Sequence, residues 1–172
     1  MIEMELVGVR VEFPGPAPIL LLKETNERGL VLPIFIGNAE ANAIDIHLRN
    51  DSPPRPMTHD LFVTALKEMN ASLTKVVVTE IDDKTFFAEI HFETADGVKT
   101  ISSRPSDAIA LAVRMSSPIY AEEEVLATAG HKIREDNEDT EEDVLAEFRD
   151  FLDDVSPEDF KHKFNFEGMK LD

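Results

Sequence analysis

The chain has 172 residues, of which 42% are hydrophobic and none is cysteine. This length suits one domain with a true core plus an extension. The lack of cysteine excludes disulfides, cysteine nucleophiles and thiolate metal sites. The net charge of −18 argues against a protein that coats nucleic acid, because phosphate contacts need lysine and arginine. We see neither an apolar run long enough to cross a membrane nor a signal-peptide pattern, so we expect a cytoplasmic protein.

The first half of the chain predicts three strands followed by two helices. Apolar alternation and β-branched residues predict strands over 4–13, 19–24 and 30–36. Helices are predicted over 38–48 and 58–69. The second helix has apolar residues at helical spacing, which predicts a buried face made of Leu61, Phe62, Ala65, Leu66 and Met69.

The second half repeats the order of three strands and a helix. Strands are predicted over 72–81, 85–93 and 98–102, a helix over 104–115, and a last strand over 117–121. A shift of 65 residues aligns the two halves, but the identities are few. Duplication and chance therefore both remain open. The order predicts a compact α+β domain with a mixed or antiparallel sheet rather than a doubly wound parallel sheet.

The C-terminal part differs in composition from the rest. Residues 1–130 and 131–172 each have a net charge of −9, and eleven of the twenty residues in 135–154 are acidic. We therefore divide the chain into a domain over 1–130 and an acidic helical extension over 131–172. An apolar stripe predicts an amphipathic helix over 140–153, whose buried residues would be Phe148, Phe151 and Leu152. The acids are either a solvated helix face or a surface that docks on a basic protein partner.

The motif "RPMTHD" has two explanations. Thr58 lies where a helix N-cap belongs, and Asp60 falls in the first turn, where a carboxylate interacts well with the helix dipole. Capping requires neither Arg55 nor His59. These two side chains are therefore candidates for binding a phosphate and for moving a proton.

The motif "RPSD" is a second helix start of the same kind. Pro105 and Asp107 suit a first turn, whereas Arg104 is not needed for capping. Two arginines beside two helix N-termini suit an anion such as phosphate. The alternative is that each arginine pairs with a nearby acid. Glu40 lies on the first predicted helix, and its carboxylate is a candidate metal ligand.

Five blocks of the chain resemble the bifunctional nuclease family of bacteria and plants, in the same order and at the same spacing. The blocks are "LPIFIGNAEANAI", "RPMTHDLF", "TFFAEI", "RPSDAIALAVR" and "PIYAEEEVL". The resemblance covers residues 3–128. It implies a compact α+β fold, association into oligomers and, as described for plant members, degradation of both DNA and RNA. The family's characteristic polar residues fall on Glu40, Arg55, Thr58, His59, Asp60, Arg104, Ser106 and Asp107.

From this resemblance and the chemistry of the residues we predict a metal-assisted nuclease. Glu40, Asp60 and Asp107 would hold Mg²⁺ or Mn²⁺. The catalytic group would comprise His59, Asp60 and Glu40, with His59 as general acid or base. Two arginines would bind the scissile phosphate: Arg55 and Arg104. We also predict a homodimer or higher homo-oligomer.

The net charge disfavours a nucleic acid substrate unless the site is locally basic. The alternative is a regulatory or ligand-binding module without catalysis. In that case the Arg-Pro turns would bind a small phosphorylated or carboxylated ligand, and the acidic extension would recruit a protein partner. Convergence of the polar side chains favours the enzyme, whereas scattered or internally paired side chains favour the module.

Overall fold

The computed structural model describes residues 1–11, 17–51 and 53–132, which belong to one compact unit, Met1–Lys132. The predicted extension lies outside the described residues apart from His131 and Lys132. The amphipathic helix predicted over 140–153 therefore stays a prediction. None of the described helices is long and apolar enough to cross a membrane.

The described residues contain eight strands and four helices. The strands are β1 (Ile2–Val11), β2 (Pro18–Glu24), β3 (Leu30–Phe35), β4 (Ser72–Asp82), β5 (Thr85–Thr94), β6 (Gly97–Ser103), β7 (Ile119–Ala121) and β8 (His131–Lys132). The helices are α1 (Asn38–Leu48), α2 (Thr58–Glu68), α3 (Pro105–Met115) and α4 (Glu123–Ala129).

The strands form one mixed sheet in the order β6-β5-β4-β7-β1-β2-β3-β8. Strands β1, β2 and β3 form one antiparallel meander, and β4, β5 and β6 form another. Between them, β7 pairs parallel with β4 and antiparallel with β1. The predicted α+β fold with a mixed sheet is confirmed, and each meander is followed by a helix, as the repeated order predicts.

The core lies where α1 and α3 pack on the sheet. Helix α3 contacts β4 and β5, and α1 contacts β1 and β2. The middle of α3 is fully enclosed because its small side chains allow close approach: the buried residues there run from Ala108 to Ala112. As a result, the N-terminal ends of α1 and α3 hold fixed positions beside each other.

Helix α2 buries a different face from the one predicted. Of the five apolar residues expected inside, only Leu66 is buried, and it is joined by Val63. Leu61, Phe62 and Met69 are exposed. The reason lies at the start of the helix, where His59 and Asp60 face α3. Val63 and Leu66 follow His59 at i+4 and i+7, so the polar contacts select which face points inward.

Two smaller elements were not predicted. Helix α4 covers a stretch with no clear start signal, and β8 is only two residues long. Helix α4 contacts β3 and β4 and buries Val125, Leu126 and Ala129. These apolar residues are at helical spacing, but the run of three acids before them hides the pattern.

Candidate active site

Three helix N-termini meet at one place on the domain. Glu40 lies in the first turn of α1, His59 in the first turn of α2 and Asp107 in the first turn of α3. Arg104 is the N-cap residue of α3. These four side chains form a continuous chain of polar contacts. The positive ends of three helix dipoles therefore point toward the same small region, which favours an anion there.

Arg104 joins the carboxylates of α1 and α3. Its Nη2 lies 2.9 Å from Oε1 of Glu40, and its Nε donates a hydrogen bond to Oδ2 of Asp107 at 2.8 Å. This hydrogen bond to Asp107 holds the pKa of the Arg104 guanidinium above its usual range. Although doubly paired, the Arg104 side chain is 65% exposed. An incoming phosphate can therefore reach this guanidinium without an opening of the fold.

His59 and Asp107 form a pair on the other side of the same carboxylate. Nε2 of His59 lies 3.2 Å from Oδ1 of Asp107, which accepts a hydrogen bond when the ring proton is on Nε2. The His59 side chain is 15% exposed. Among the described residues, Nδ1 of His59 has no hydrogen-bond partner. This arrangement suits general acid–base chemistry, because the carboxylate orients the ring and the second nitrogen can exchange a proton.

Asp60 faces away from this chain of contacts. Its Oδ1 accepts a hydrogen bond from Nε of Arg114 at 2.6 Å, and its Oδ2 accepts one from the backbone N–H of Met57 at 2.9 Å. The bond from Arg114 lowers the pKa of Asp60. Both carboxylate oxygens are thus engaged in holding the helix start. The helix begins at Thr58 with Met57 as its N-cap, so Thr58 is not the cap, and Asp60 bonds back to the cap residue instead.

Arg114 was missed by the sequence analysis. Its side chain is 4% exposed, and it donates two further hydrogen bonds, to the backbone carbonyl oxygens of Ala110 and Ala43. A signal existed, because Arg114 is the only charged residue in an otherwise apolar stretch of helix. A charge in such a stretch, if buried, must find a partner.

Two of the predicted residues lie apart from the network. Arg55 is exposed, and among the described residues it forms no ion pair or hydrogen bond. Ser106 is buried in the first turn of α3. The phosphate-binding role of Arg55 stays a prediction, and no role was predicted for Ser106.

The predicted metal ligands are all paired with arginines. Glu40 and Asp107 share Arg104, and Asp60 pairs with Arg114. In the part of the chain that the structure describes, no three His, Cys, Asp or Glu side chains are placed to hold a metal ion. In this arrangement the three carboxylates do not fit a shared divalent ion.

Curated proteins related to this chain fall into two groups. The chain is 42% identical over 164 residues to "Uncharacterized protein Rv1829" of Mycobacterium tuberculosis, a match that covers 92% of this chain and 98% of that protein. It is 26% identical over 124 residues to "Bifunctional nuclease 1" of Arabidopsis thaliana, covering 70% of this chain and 38% of the plant protein. "Bifunctional nuclease 1" of Oryza sativa subsp. japonica is 25% identical over 128 residues, which is 39% of its length.

The family comparison agrees with these relatives. The bifunctional nuclease domain matches residues 20–134. That range includes all four residues of the contact chain and also Asp60 and Arg114. The chain belongs to the bifunctional nuclease domain family.

Proposed function

We propose that this protein is a nuclease that hydrolyses phosphodiester bonds of DNA, RNA or both. The observation that supports it is the unbroken contact chain from Glu40 through Arg104 and Asp107 to His59, at the meeting point of three helix N-termini. A general acid–base side chain and an exposed cation adjoin the same carboxylate. These are the parts that attack on a phosphodiester requires.

Each residue has a role in this proposal. Asp107 orients the His59 ring through Nε2, and Nδ1 accepts the proton of the attacking water or returns it to the leaving oxygen. Arg104 binds the scissile phosphate and stabilises the charge that develops on it. Glu40 holds the guanidinium of Arg104 in place until the substrate arrives. Arg55 is proposed as a second phosphate-binding side chain, from its place in "RPMTHD".

The site also bears on the objection raised by the net charge. The expected difficulty is that a chain of −18 repels a polyanion. At the site itself the acids Glu40 and Asp107 are paired with Arg104, and the helix ends add positive potential. Repulsion at long range therefore slows the encounter. One guanidinium shared by two carboxylates leaves one negative charge, so the positive potential that supports phosphate binding has to come from the helix ends and from Arg55.

Mg²⁺ or Mn²⁺ remains part of the proposal as an expectation from the sequence. For Glu40 and Asp107 to ligate an ion, Arg104 would have to leave them. For Asp60 to do so, its bond with Arg114 would have to open. Metal dependence is therefore tested directly, and no step of the proposed chemistry relies on it.

The test is a cleavage assay on single-stranded DNA, double-stranded DNA and RNA, with EDTA, Mg²⁺ or Mn²⁺. The decisive variant is His59→Ala, with His91→Ala as the matched control. His91 also lies beside a carboxylate, that of Glu89, and is similarly covered, but it is on β5 away from the contact chain. We expect His59→Ala to lower turnover by a factor on the order of 10² or more, while His91→Ala is unchanged. Undiminished cleavage by His59→Ala would exclude His59 from catalysis.

A second function is favoured by one observation. Arg104 already pairs with both Glu40 and Asp107 in the described structure, as expected if the polar residues brace the fold. In that case the domain is a regulatory module that binds a small phosphorylated or carboxylated ligand, and the acidic extension recruits a basic protein. The same assay separates the two, because a module binds a labelled oligonucleotide or inorganic phosphate without any cleavage.

Two broader expectations from the sequence belong to the proposal. We place the protein in the cytoplasm and expect it to work as a homo-oligomer, most simply a homodimer. The exposed apolar residues of α2 support self-association, because side chains of this size are seldom grouped on a free surface without a partner.

A further inference from the structure

Arg114 binds three helices at once. Its Nε donates to Oδ1 of Asp60 on α2 at 2.6 Å, its Nη2 donates to the carbonyl of Ala43 on α1 at 2.9 Å, and its Nη1 donates to Ala110 on its own helix at 2.9 Å. These partners lie 54, 71 and 4 residues away in the sequence. The guanidinium is thus a buried tertiary crosslink.

The three helices it binds are the three that contribute the proposed active site. Ala43 is three residues after Glu40, Asp60 directly follows His59, and Arg114 is seven residues after Asp107. Within the described residues, Arg114 itself forms no hydrogen bond with Glu40, His59 or Asp107. Its influence on the site must therefore pass through the helices.

The geometry of α2 on α3 shows how that influence works. Two adjacent residues of α2, His59 and Asp60, contact two residues of α3, Asp107 and Arg114. Seven residues correspond to about 10 Å along a helix axis. The Arg114 side chain folds back by one turn to Ala110, so the two contacts lie closer together than this, but they still fall on different turns of α3. Two attachments on different turns restrain the direction of the first turn of α2, whereas one attachment would let the turn pivot. The second attachment therefore determines where the His59 ring points.

We propose that Arg114 is a positioning residue: its bonds to Asp60 and Ala43 hold the first turn of α2 so that His59 meets Asp107. The catalytic consequence rests on the proposed nuclease function, but the positioning itself does not. Lysine cannot replace this residue, because a single ammonium lacks the planar fork that reaches three acceptors in fixed directions.

A purely structural role for Arg114 predicts a different result. Removing one partner of a buried pair leaves the other charge without compensation, whereas removing both can be nearly neutral. If Arg114 only stabilises the fold, the double variant Asp60→Asn with Arg114→Met regains stability and a normal site. If Arg114 positions the site, the double variant regains stability but not the contact between His59 and Asp107.

The experiment compares Arg114→Met, Arg114→Lys and the double variant with the unaltered protein. The control is Arg49→Met, which removes an exposed ion pair with Asp45 on α1. The first readout is the set of ring ¹⁵N signals of His59, with Asp107→Ala as the reference for a lost contact. We expect the two Arg114 single variants and the double variant to shift toward that reference, and Arg49→Met to match the unaltered protein.

The second readout is cleavage. Misplacement of a catalytic group by about 1 Å can lower the rate on the order of 10²-fold, so we expect kcat to fall on that scale in the double variant while KM stays the same. A folded double variant with unaltered His59 signals would overturn the proposal. If Arg114→Met does not fold, the His59 signals of the double variant still show whether Arg114 positions the site. If the unaltered protein cleaves nothing, the nuclease proposal fails, and the His59 signals still test positioning.

Discussion

His59 and Asp107 are 48 residues apart in the sequence, yet Nε2 of the first lies 3.2 Å from Oδ1 of the second. The contact bears on the question raised by "RPMTHD", which is a helix start and also contributes to the candidate site. Asp60 completes the helix start by accepting the N–H of Met57, and His59 faces the neighbouring helix. The two roles coincide because helix N-termini are where carboxylates and phosphates bind best.

We predict that His59→Ala changes stability little. Asp107 keeps its bond with Arg104 after the change, so no buried charge is left without a partner. We expect the free energy of unfolding to fall by less than about 1 kcal/mol, as for one modest hydrogen bond. Urea denaturation measures it. An unfolded His59→Ala protein would instead make the imidazole a structural group.

We predict a larger loss for Asp60→Asn than a first-turn carboxylate alone explains. An exposed helix-dipole interaction contributes about 0.3–1 kcal/mol. Here the change also weakens the partner of a buried arginine, and hydrogen bonds to charged groups contribute about 1.5–3 kcal/mol. We expect urea denaturation to show a loss in the free energy of unfolding that falls in the higher of these two ranges. Asp45→Asn is the control, because Asp45 pairs with the exposed Arg49.

The difference in stability between the unaltered protein and the Asp60→Asn variant depends on pH. Arg114 lowers the pKa of Asp60 in the folded state below its unfolded value of about 3.9. The stabilisation is therefore complete above that value and is lost as pH falls through the lower, folded pKa. We expect a constant difference in unfolding midpoint from about pH 5 upward and a shrinking one below about pH 4. A difference that grows on acidification would contradict the ion pair.

We predict that Gly37→Ala disturbs the site more than the fold. Gly37 is the N-cap of α1, and a Cβ at this position would collide with Oε2 of Glu40. The Glu40 side chain can swing away, so the loss of stability should stay below about 1 kcal/mol, within the range for N-cap changes. The displaced carboxylate releases Arg104, whose contact with Glu40 is 2.9 Å in the unaltered protein. A change in phosphate affinity measured by calorimetry reports this release. If the Gly37→Ala variant and the unaltered protein bind phosphate with equal affinity, Glu40 does not restrain Arg104.

We predict a homo-oligomer, most simply a homodimer, at micromolar concentration. Leu61, Phe62 and Met69 are exposed by 62%, 45% and 67% on α2. If this face is the contact, Leu61→Glu should give a monomer in light scattering, because a carboxylate is expensive to bury at an interface. Val98→Glu on β6, exposed by 68%, is the control and should leave the mass unchanged. A monomer mass for the unaltered protein would contradict the prediction.

Much of the local structure could be predicted from the sequence. Helix α1 occupies 38–48 as predicted, and α3 begins at Pro105 within one residue of its predicted start. First-turn prolines and the bounds of helices depend on residues within one or two turns of each other, so they are legible in one dimension, although the cap of α2 is Met57 and not Thr58. The two helix-start motifs and residue chemistry drew attention to Glu40, His59, Arg104 and Asp107, and the resemblance identified the family and included the same four residues.

Only the tertiary structure decided which side chains are partners. The inward face of α2, the pairing of Asp60 with Arg114, and the sharing of Arg104 between Glu40 and Asp107 all depend on how three helices pack on the sheet. A sequence with 35 acids and 17 basic residues permits many ion pairs, and local propensity does not rank them. Packing does, because a charge carried into the interior on a helix such as α3 must pair with whatever the neighbouring helices place beside it.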